Sequence, residues 1–387
     1  MESDPLDSHE NSNLPPDSAL PHQMLLEIHE QPQALRRTLN LYLREDGLRP
    51  EFGRELDRWV PVNGHVVIAA SGSSRHSGLA AEIWLEEIGG LAVDVEYASE
   101  YNFAGPDSPS QSACLVLSQS GETSDTLAAL RAAKKQLWKT LAITNAPLST
   151  MAREADISML LAAGPERAIP ATKSFTCQLA ALYILALYEA VRAGKLDSAT
   201  LPALAAELWA QCAQIERQLP AWQPQMAALA KKYSGASTFL YLGSGIHYAI
   251  AREGALKLKE ASYVHAEGYP MGELRHGPNA LVSDSVPLVL LAAFDPDSAP
   301  SVQRYEKTLR LLRDLNSQGA RVIAVANAGD RAIRELAADC VEVERASDYL
   351  LPLSEVVPLQ LFAYFMALER GVNMDHPRNL SKAVVEP

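Results

Sequence analysis

Cysteine is scarce: four residues in 387, Cys114, Cys177, Cys212 and Cys340, with no C-x-x-C pair and each within an apolar stretch. That excludes a disulfide framework and points to buried free thiols in a reducing compartment. The nine histidines form no H-E-x-x-H and show no other metal-ligand spacing, so no metal is expected. Neither G-x-G-x-x-G nor a Walker pattern follows any candidate strand, which removes dinucleotide and ATP binding and leaves no expected cofactor. Basic residues are outnumbered 34 to 47, giving a net charge of −13. Such a balance argues against a nucleic acid or an anionic membrane as partner, although helix N-termini and hydroxyls can still hold a phosphorylated small molecule. No signal peptide opens the sequence, and the longest apolar run, 179–191, is interrupted by Glu189 and reads as a core helix. A cytoplasmic protein is expected.

What is present is enough hydrophobic residue (48%) to bury a sizeable core. Residues 1–21 are rich in Ser, Asp, Asn and Pro without apolar periodicity and read as a disordered tail. Helical periodicity starts at His22, is broken at Pro32, and defines an N-terminal segment over 22–60. Residues 61–196 alternate strands (65–70, 91–97, 113–117, 140–144, 157–162) with helices, the pattern of a parallel α/β sheet. A helical connector over 197–233 leads to a second domain, 234–375, which repeats the first. Its strands 238–242, 286–291, 321–325 and 341–344 recur at a constant spacing of about one domain, the mark of duplication. The fold class is therefore α/β, two tandem doubly wound parallel-sheet domains, followed by a short polar tail over 376–387.

Chemistry concentrates in three places. Two turns in the first domain, SGSS (Ser71, Gly72, Ser73, Ser74) and SQSGET (Ser118 to Thr123), sit where strands hand over to helices. There hydroxyls and amides can cradle a phosphate without a lysine. Serine and threonine are also ordinary N-caps, which accounts for one such turn but poorly for two in one sheet. The second domain keeps a GSG turn and replaces SQSGET by Ala292, Ala293, Phe294 and Asp295, so one phosphate site is expected. The third place is 255–280, ALKLKEASYVHAEGYPMGELRHGPNA. A helix ending near Ser262 sets Lys257 and Glu260 three apart on one face. From His265 the glycines and prolines read as an irregular, tightly turned loop.

Here the residues resemble a family. EIHEQPQALRRTL, SGSSRHSG, LSQSGETSDTLAAL, AGPE with ATKSFT, REGALKLKEASYVHAEGYPMGELRHGP and PRNLSKAVVE follow the order of the SIS (sugar isomerase) proteins. More closely they resemble the isomerase half of the glutamine–fructose-6-phosphate aminotransferase family. The resemblance implies a sugar-phosphate substrate held by Ser73, Ser74, Ser118, Gln119, Ser120 and Thr123, with Lys257 near the same site. It implies Glu260 as the base moving a proton between carbons 1 and 2, and Lys382 as the Schiff-base lysine. It also implies His276 as a ring-opening group supplied by the neighbouring subunit of a homodimer. Ala171 stands where the family has a ligand-binding serine, and Arg75 replaces an aromatic. No glutaminase segment with an N-terminal cysteine is recognisable, so the expected reaction uses free ammonia: glucosamine 6-phosphate deamination to fructose 6-phosphate. Simple hexose-6-phosphate isomerisation, ammonia-dependent synthesis, or sensing without turnover are the alternatives.

Overall fold

The computed structural model describes residues 22–44, 47–57, 59–101 and 112–382, so the tail over 1–21 and the last five residues lie outside the described residues. The first sheet contains β1 (His65–Ala70), β2 (Ala92–Tyr97), β3 (Ser112–Ser118), β4 (Lys139–Thr144) and β5 (Ile157–Leu160). The second contains β6 (Thr238–Gly243), β7 (His265–Pro270), β8 (Leu288–Leu291), β9 (Val322–Asn327) and β10 (Asp339–Val343). Spatial orders are β2-β1-β3-β4-β5 and β7-β6-β8-β9-β10, all parallel. The halves share one topology, and the duplication read from the sequence is present in three dimensions. The central strands are nearly continuous apolar runs because helices cover both faces. All of β3 is buried, as is β1 beyond His65.

One strand overturns an expectation. The supposed irregular loop after His265 is β7, the edge strand that pairs with β6 from Thr238↔His265 to Gly243↔Pro270. Its Gly and Pro mislead as breakers. Pro270 sits at the very end of the strand, where a missing donor costs nothing. Gly268 is required by close approach, since a Cβ there would come within 2.7 Å of the Arg252 Cα. Only after Pro270 does the chain tighten into a 3-10 helix, Met271–His276.

The helices that matter here are α1 (Gln23–His29), α2 (Gln31–Tyr42), α3 (Gly72–Ile83), α4 (Ser124–Lys135) and α5 (Lys173–Arg192). They continue as α6 (Leu201–Tyr233), α7 (Ile246–Ser262), α8 (Ala299–Ser317) and α9 (Leu351–Glu369). By length and composition alone, α5 and α9 could cross a bilayer. Their apolar windows are 94% and 89% buried inside the protein, so both serve as core helices. They belong to one hydrophobic cluster that runs through both halves. Helix α7 packs on α9 of its own half and on α3 of the other. That crossing carries the end of α7 to the switch point of the first sheet, where β1 and β3 are neighbours and their following helices diverge.

Candidate active site

At that switch point lies a cavity of about 270 Å³, lined by the Ser71–Ser74 and Ser118–Thr123 turns, Ala171, Glu260 and Lys382. Five segments far apart in sequence converge there. The SQSGET turn is pre-formed by its own side chains. Ser118 Oγ lies 2.9 Å from Thr123 Oγ1 and accepts from the Gly121 amide at 3.1 Å, and Ser120 Oγ accepts from Glu122 N at 3.2 Å. Gly121 has φ +65°, and a Cβ there would fall 2.1 Å from Ser149 Oγ. No other residue lets the turn close this tightly. Gln119 fixes the loop through its carbonyl, which accepts from Asn145 N at 3.1 Å. On the opposite wall Ser74 Oγ accepts from Gln178 Nε2 at 3.0 Å. Hydroxyls so arranged, beside the start of α4, form a donor-rich cradle for a dianion.

Across the cavity α7 contributes a buried charge network. Lys257, wholly buried, donates to Glu260 Oε2 at 2.5 Å and to Ser73 Oγ at 3.0 Å, and lies 3.4 Å from Glu253 Oε1. The residues Glu253, Lys257 and Glu260 are spaced four and three apart, which stacks them on one helix face. Glu253, also wholly buried, accepts from Ser73 Oγ at 2.8 Å and meets His76 Nδ1 at 2.8 Å. The Ser73 hydroxyl is thus committed to this network as well as lining the cavity. Burial would raise the Glu253 carboxyl, but Lys257, His76 and Ser73 outweigh it and hold the group below its ordinary value. Burial lowers the His76 imidazole despite Glu253, so a neutral ring donates to that carboxylate. Lys257 stays charged because Glu253 and Glu260 overcome its desolvation. Glu260 differs: desolvation dominates and lifts its carboxyl above the usual range, with Lys257 opposing. A carboxylate shifted upward holds a proton more readily than a free one, as a group that takes a proton from one carbon and returns it to the next must.

The C-terminal segment is tied down at three points. Asp375 accepts from the Gln23 and Met24 amides at the start of α1, at 2.9 and 3.2 Å. The Arg378 amide donates to Tyr263 Oη at 2.6 Å, and its guanidinium lies 4.4 Å over that ring. Lys382 Nζ then reaches Glu166 Oε2 at 3.0 Å and the Ala168 carbonyl at 2.6 Å. Glu166 is fully buried; desolvation would raise it, yet Lys382, the Ser174 hydroxyl and the Thr172 and Ser174 amides keep it low. Glu27 of α1 accepts from the Arg167 and Ala168 amides, and burial pushes its carboxyl up to about 7.

The structure therefore brings together Ser73, Ser74, Ser118, Gln119, Ser120, Thr123, Lys257, Glu260 and Lys382. It does not bring His276 to them: that side chain lies exposed on the 3-10 helix after β7, outside the cavity of its own chain. Reading the sequence missed Glu253, His76, Glu166 and Glu27. The Glu253–Lys257–Glu260 spacing could have exposed the first; the others meet only through tertiary packing. Among the described residues no group of three or more His, Cys, Asp or Glu side chains could hold a metal.

Two parallel five-stranded sheets in one order, with a serine-rich cavity at one switch point, define a tandem doubly wound α/β protein. The SIS domain family matches residues 62–188 and 232–370, and the chain belongs to it. It is 40% identical over 364 residues to the isomerising glutamine–fructose-6-phosphate aminotransferase of Thermus thermophilus, covering 94% of this chain and 59% of that protein. The corresponding enzyme of Chlorobaculum tepidum is 39% identical over 366 residues, with 94% and 58% covered. The chain thus spans about three-fifths of the length of these curated relatives. Among solved structures, the C-terminal domain of the Francisella tularensis glucosamine-fructose-6-phosphate aminotransferase superposes with a TM-score of 0.85 at 34% identity. That match covers 93% of this chain and 99% of that one. A glucosamine-6-phosphate deaminase from Thermotoga maritima matches with a TM-score of 0.69 at 25% identity, covering 94% and 100%.

Proposed function

We propose that the chain deaminates and isomerises an amino-sugar phosphate, converting glucosamine 6-phosphate and water to fructose 6-phosphate and ammonia. The observation that carries this reading is a desolvated carboxylate, Glu260, facing a hydroxyl-lined phosphate cradle with a lysine on either side. The Ser118–Thr123 turn, with Ser74, holds the phosphate. In the open-chain sugar Glu260 takes the proton from carbon 2 and returns it to carbon 1, leaving an imine at carbon 2. Lys257, charged and 2.5 Å away, steadies the carboxylate before that transfer and the enolic oxygen during it. Lys382 leaves Glu166, attacks carbon 2 and displaces ammonia; water then hydrolyses the lysine imine to the ketone. His276 assists ring opening in the site of a neighbouring copy, in a homodimer. The names of the relatives agree with chemistry between a hexose 6-phosphate and an amine, and the Thermotoga neighbour with this direction.

The identity to aminotransferases favours a second reading, amination of fructose 6-phosphate with free ammonia, and the same cavity also suits isomerisation without nitrogen. The test is to follow ammonia and fructose 6-phosphate from glucosamine 6-phosphate, with wild type beside Lys382→Met. Equimolar release by the wild type, lost in the variant, is expected. No release from glucosamine 6-phosphate, with fructose 6-phosphate turned into glucose 6-phosphate by both proteins, contradicts the deaminase reading.

A further inference from the structure

Helix α1 buries a carboxylate that no ion pair explains. Glu27 is 2% exposed and shares its face with Met24, Leu25 and Ile28. The cations that act on it, Lys173 and Lys382, are paired with Glu30 and Glu166 instead. A carboxylate in a core without a partner charge is costly, so packing alone gives no reason for it. Its oxygens go to backbone. Both accept from the Ala168 amide at 3.3 Å, and one also accepts from the Arg167 amide.

Those two amides belong to the loop that receives Lys382. The Ala168 carbonyl accepts from Lys382 Nζ at 2.6 Å, and Glu166 Oε2 stands 3.0 Å from the same nitrogen. Ala168 is therefore gripped from two sides, its amide by Glu27 and its carbonyl by Lys382. Residues 165–171 lie in no helix or strand and make no backbone–backbone hydrogen bond among the described residues, so the side chains that bond the loop set its course. Helix α1 holds both partners of the contact. Its first amides hold the tail at Asp375, and its Glu27 holds the loop that the tail lysine reaches. Glu27 does not itself line the catalytic cavity, whereas Lys382 does.

We propose that Glu27 is a positioning residue for Lys382: its carboxylate shapes the 166–168 backbone into the berth that presents the lysine to the cavity. The proposal rests on the Schiff-base part given to Lys382 above and says what prepares it. An ionised Glu27 offers acceptors only, whereas a protonated one turns an oxygen into a donor facing N–H groups, and the grip weakens. The charged and titratable groups that face it are Glu166 on the loop, Lys173 at the start of α5 and Lys382 on the tail. Tyr364 of α9 and Asp375 lie at the other end of α1, and His29 and Glu30 follow on α1 itself. Arg37 of α2 bonds the Ala162 and Ala163 carbonyls just ahead of the loop. Burial outweighs the Arg167 amide and the two lysines, with Glu166 adding to it, and sets the carboxyl at about 7.

The test traps the Lys382 imine in the full chain with fructose 6-phosphate and cyanoborohydride. The Lys382 amine condenses with the carbon 2 carbonyl, releasing water, and hydride reduces the imine to a stable amine that peptide mass spectrometry weighs. Glu27→Gln keeps the side chain's shape and removes its charge. Trapping should be about tenfold slower than in wild type at pH 8, and only about twofold slower at pH 6, where Glu27 of the wild type is itself mostly protonated. Because each ratio is taken at one pH, the lysine's own titration divides out. A folded variant that is slower by the same factor at both pH values, or as fast as wild type at pH 8, would overturn the proposal. Wild type gives a second reading that needs no variant. Amide exchange, corrected for its chemical rate, should lose several-fold protection at Arg167 and Ala168 from pH 8 to pH 6, and unchanged protection would also overturn it. No adduct in wild type, or one that persists in Lys382→Met, would sink the Schiff-base reading and the proposal together. An adduct confined to Lys382 and indifferent to Glu27 would sink the proposal alone.

Discussion

The two halves share a sheet order, and each carries a buried histidine in the helix that follows its first strand: His76 in α3 and His247 in α7. Their surroundings differ. His76 meets Glu253, which holds the Lys257 ammonium beside Glu260, so the histidine ends a relay that reaches the cavity. His247 meets both oxygens of buried Glu355, at 2.9 and 2.7 Å, and faces Asp348 at 3.4 Å, itself held by Arg304. Burial depresses His76, whereas Glu355 and Asp348 overcome the same burial and raise His247. The switch points differ too. The first half has the hydroxyl nest; in the second the loop after β8 carries Asp295 and Asp297, which edge a hollow of about 450 Å³ against Glu207 of α6 and Arg345. Topology makes a place in each half, and side chains decide what it can hold. In one half the charge serves the proposed chemistry, in the other it clamps α9 to α7 and, through Asp348, to α8.

The largest effect should separate the two histidines. His247→Ala strands Glu355 as a buried charge and should cost about 3 kcal/mol of stability, measured by urea unfolding. His76→Ala leaves Glu253 with Lys257, so stability should fall less while turnover falls. Equal stability losses with equal turnover would erase the distinction. The sign of a pH effect follows from the raised His247 value. Its contribution is fully present below the unfolded value of 6.5 and is lost as pH rises through the higher folded one. In His247→Gln that alkaline decline in stability should flatten.

A middle-sized effect tests the switch points. Ser118→Ala with Thr123→Val removes two hydroxyls of the nest and should raise KM for the sugar phosphate about tenfold, with kcat less changed. Asp295→Asn with Asp297→Asn, at the matching place of the second half, should leave KM where it was. A KM shift from the second pair would mean that both halves bind substrate.

The smallest effect concerns the relay itself. Glu260 must be ionised to act as a base, so activity should fall as pH drops through its raised value. Lys257 opposes that rise, and Lys257→Met should therefore move the acid limb of kcat/KM to higher pH. A limb that stays put, or moves down, would show that Lys257 does not set the Glu260 charge state.

Much of this was readable from residues alone because it is local. Apolar runs gave the strands, the repeated strand–turn junctions gave the duplication, and hydroxyl-rich turns marked the switch point. Lys257 and Glu260 were visible through helical spacing. The edge strand β7 was not, because Gly268 and Pro270 carry the composition of a loop while satisfying an edge strand's contacts. Glu166 and His76 were invisible for another reason. Each acquires its part from a residue brought by folding: Lys382 lies 216 positions from Glu166, and Glu253 lies 177 from His76.

The central claim is that Glu260 moves a proton between adjacent carbons of the bound sugar phosphate. Incubation of fructose 6-phosphate and ammonium in D2O, with carbon 1 followed by NMR, tests it most directly. Wild type should exchange one carbon 1 proton for deuterium, and Glu260→Gln, folded and still binding the sugar, should do so slower by a factor of about a thousand. Exchange at the wild-type rate in that variant would contradict the account.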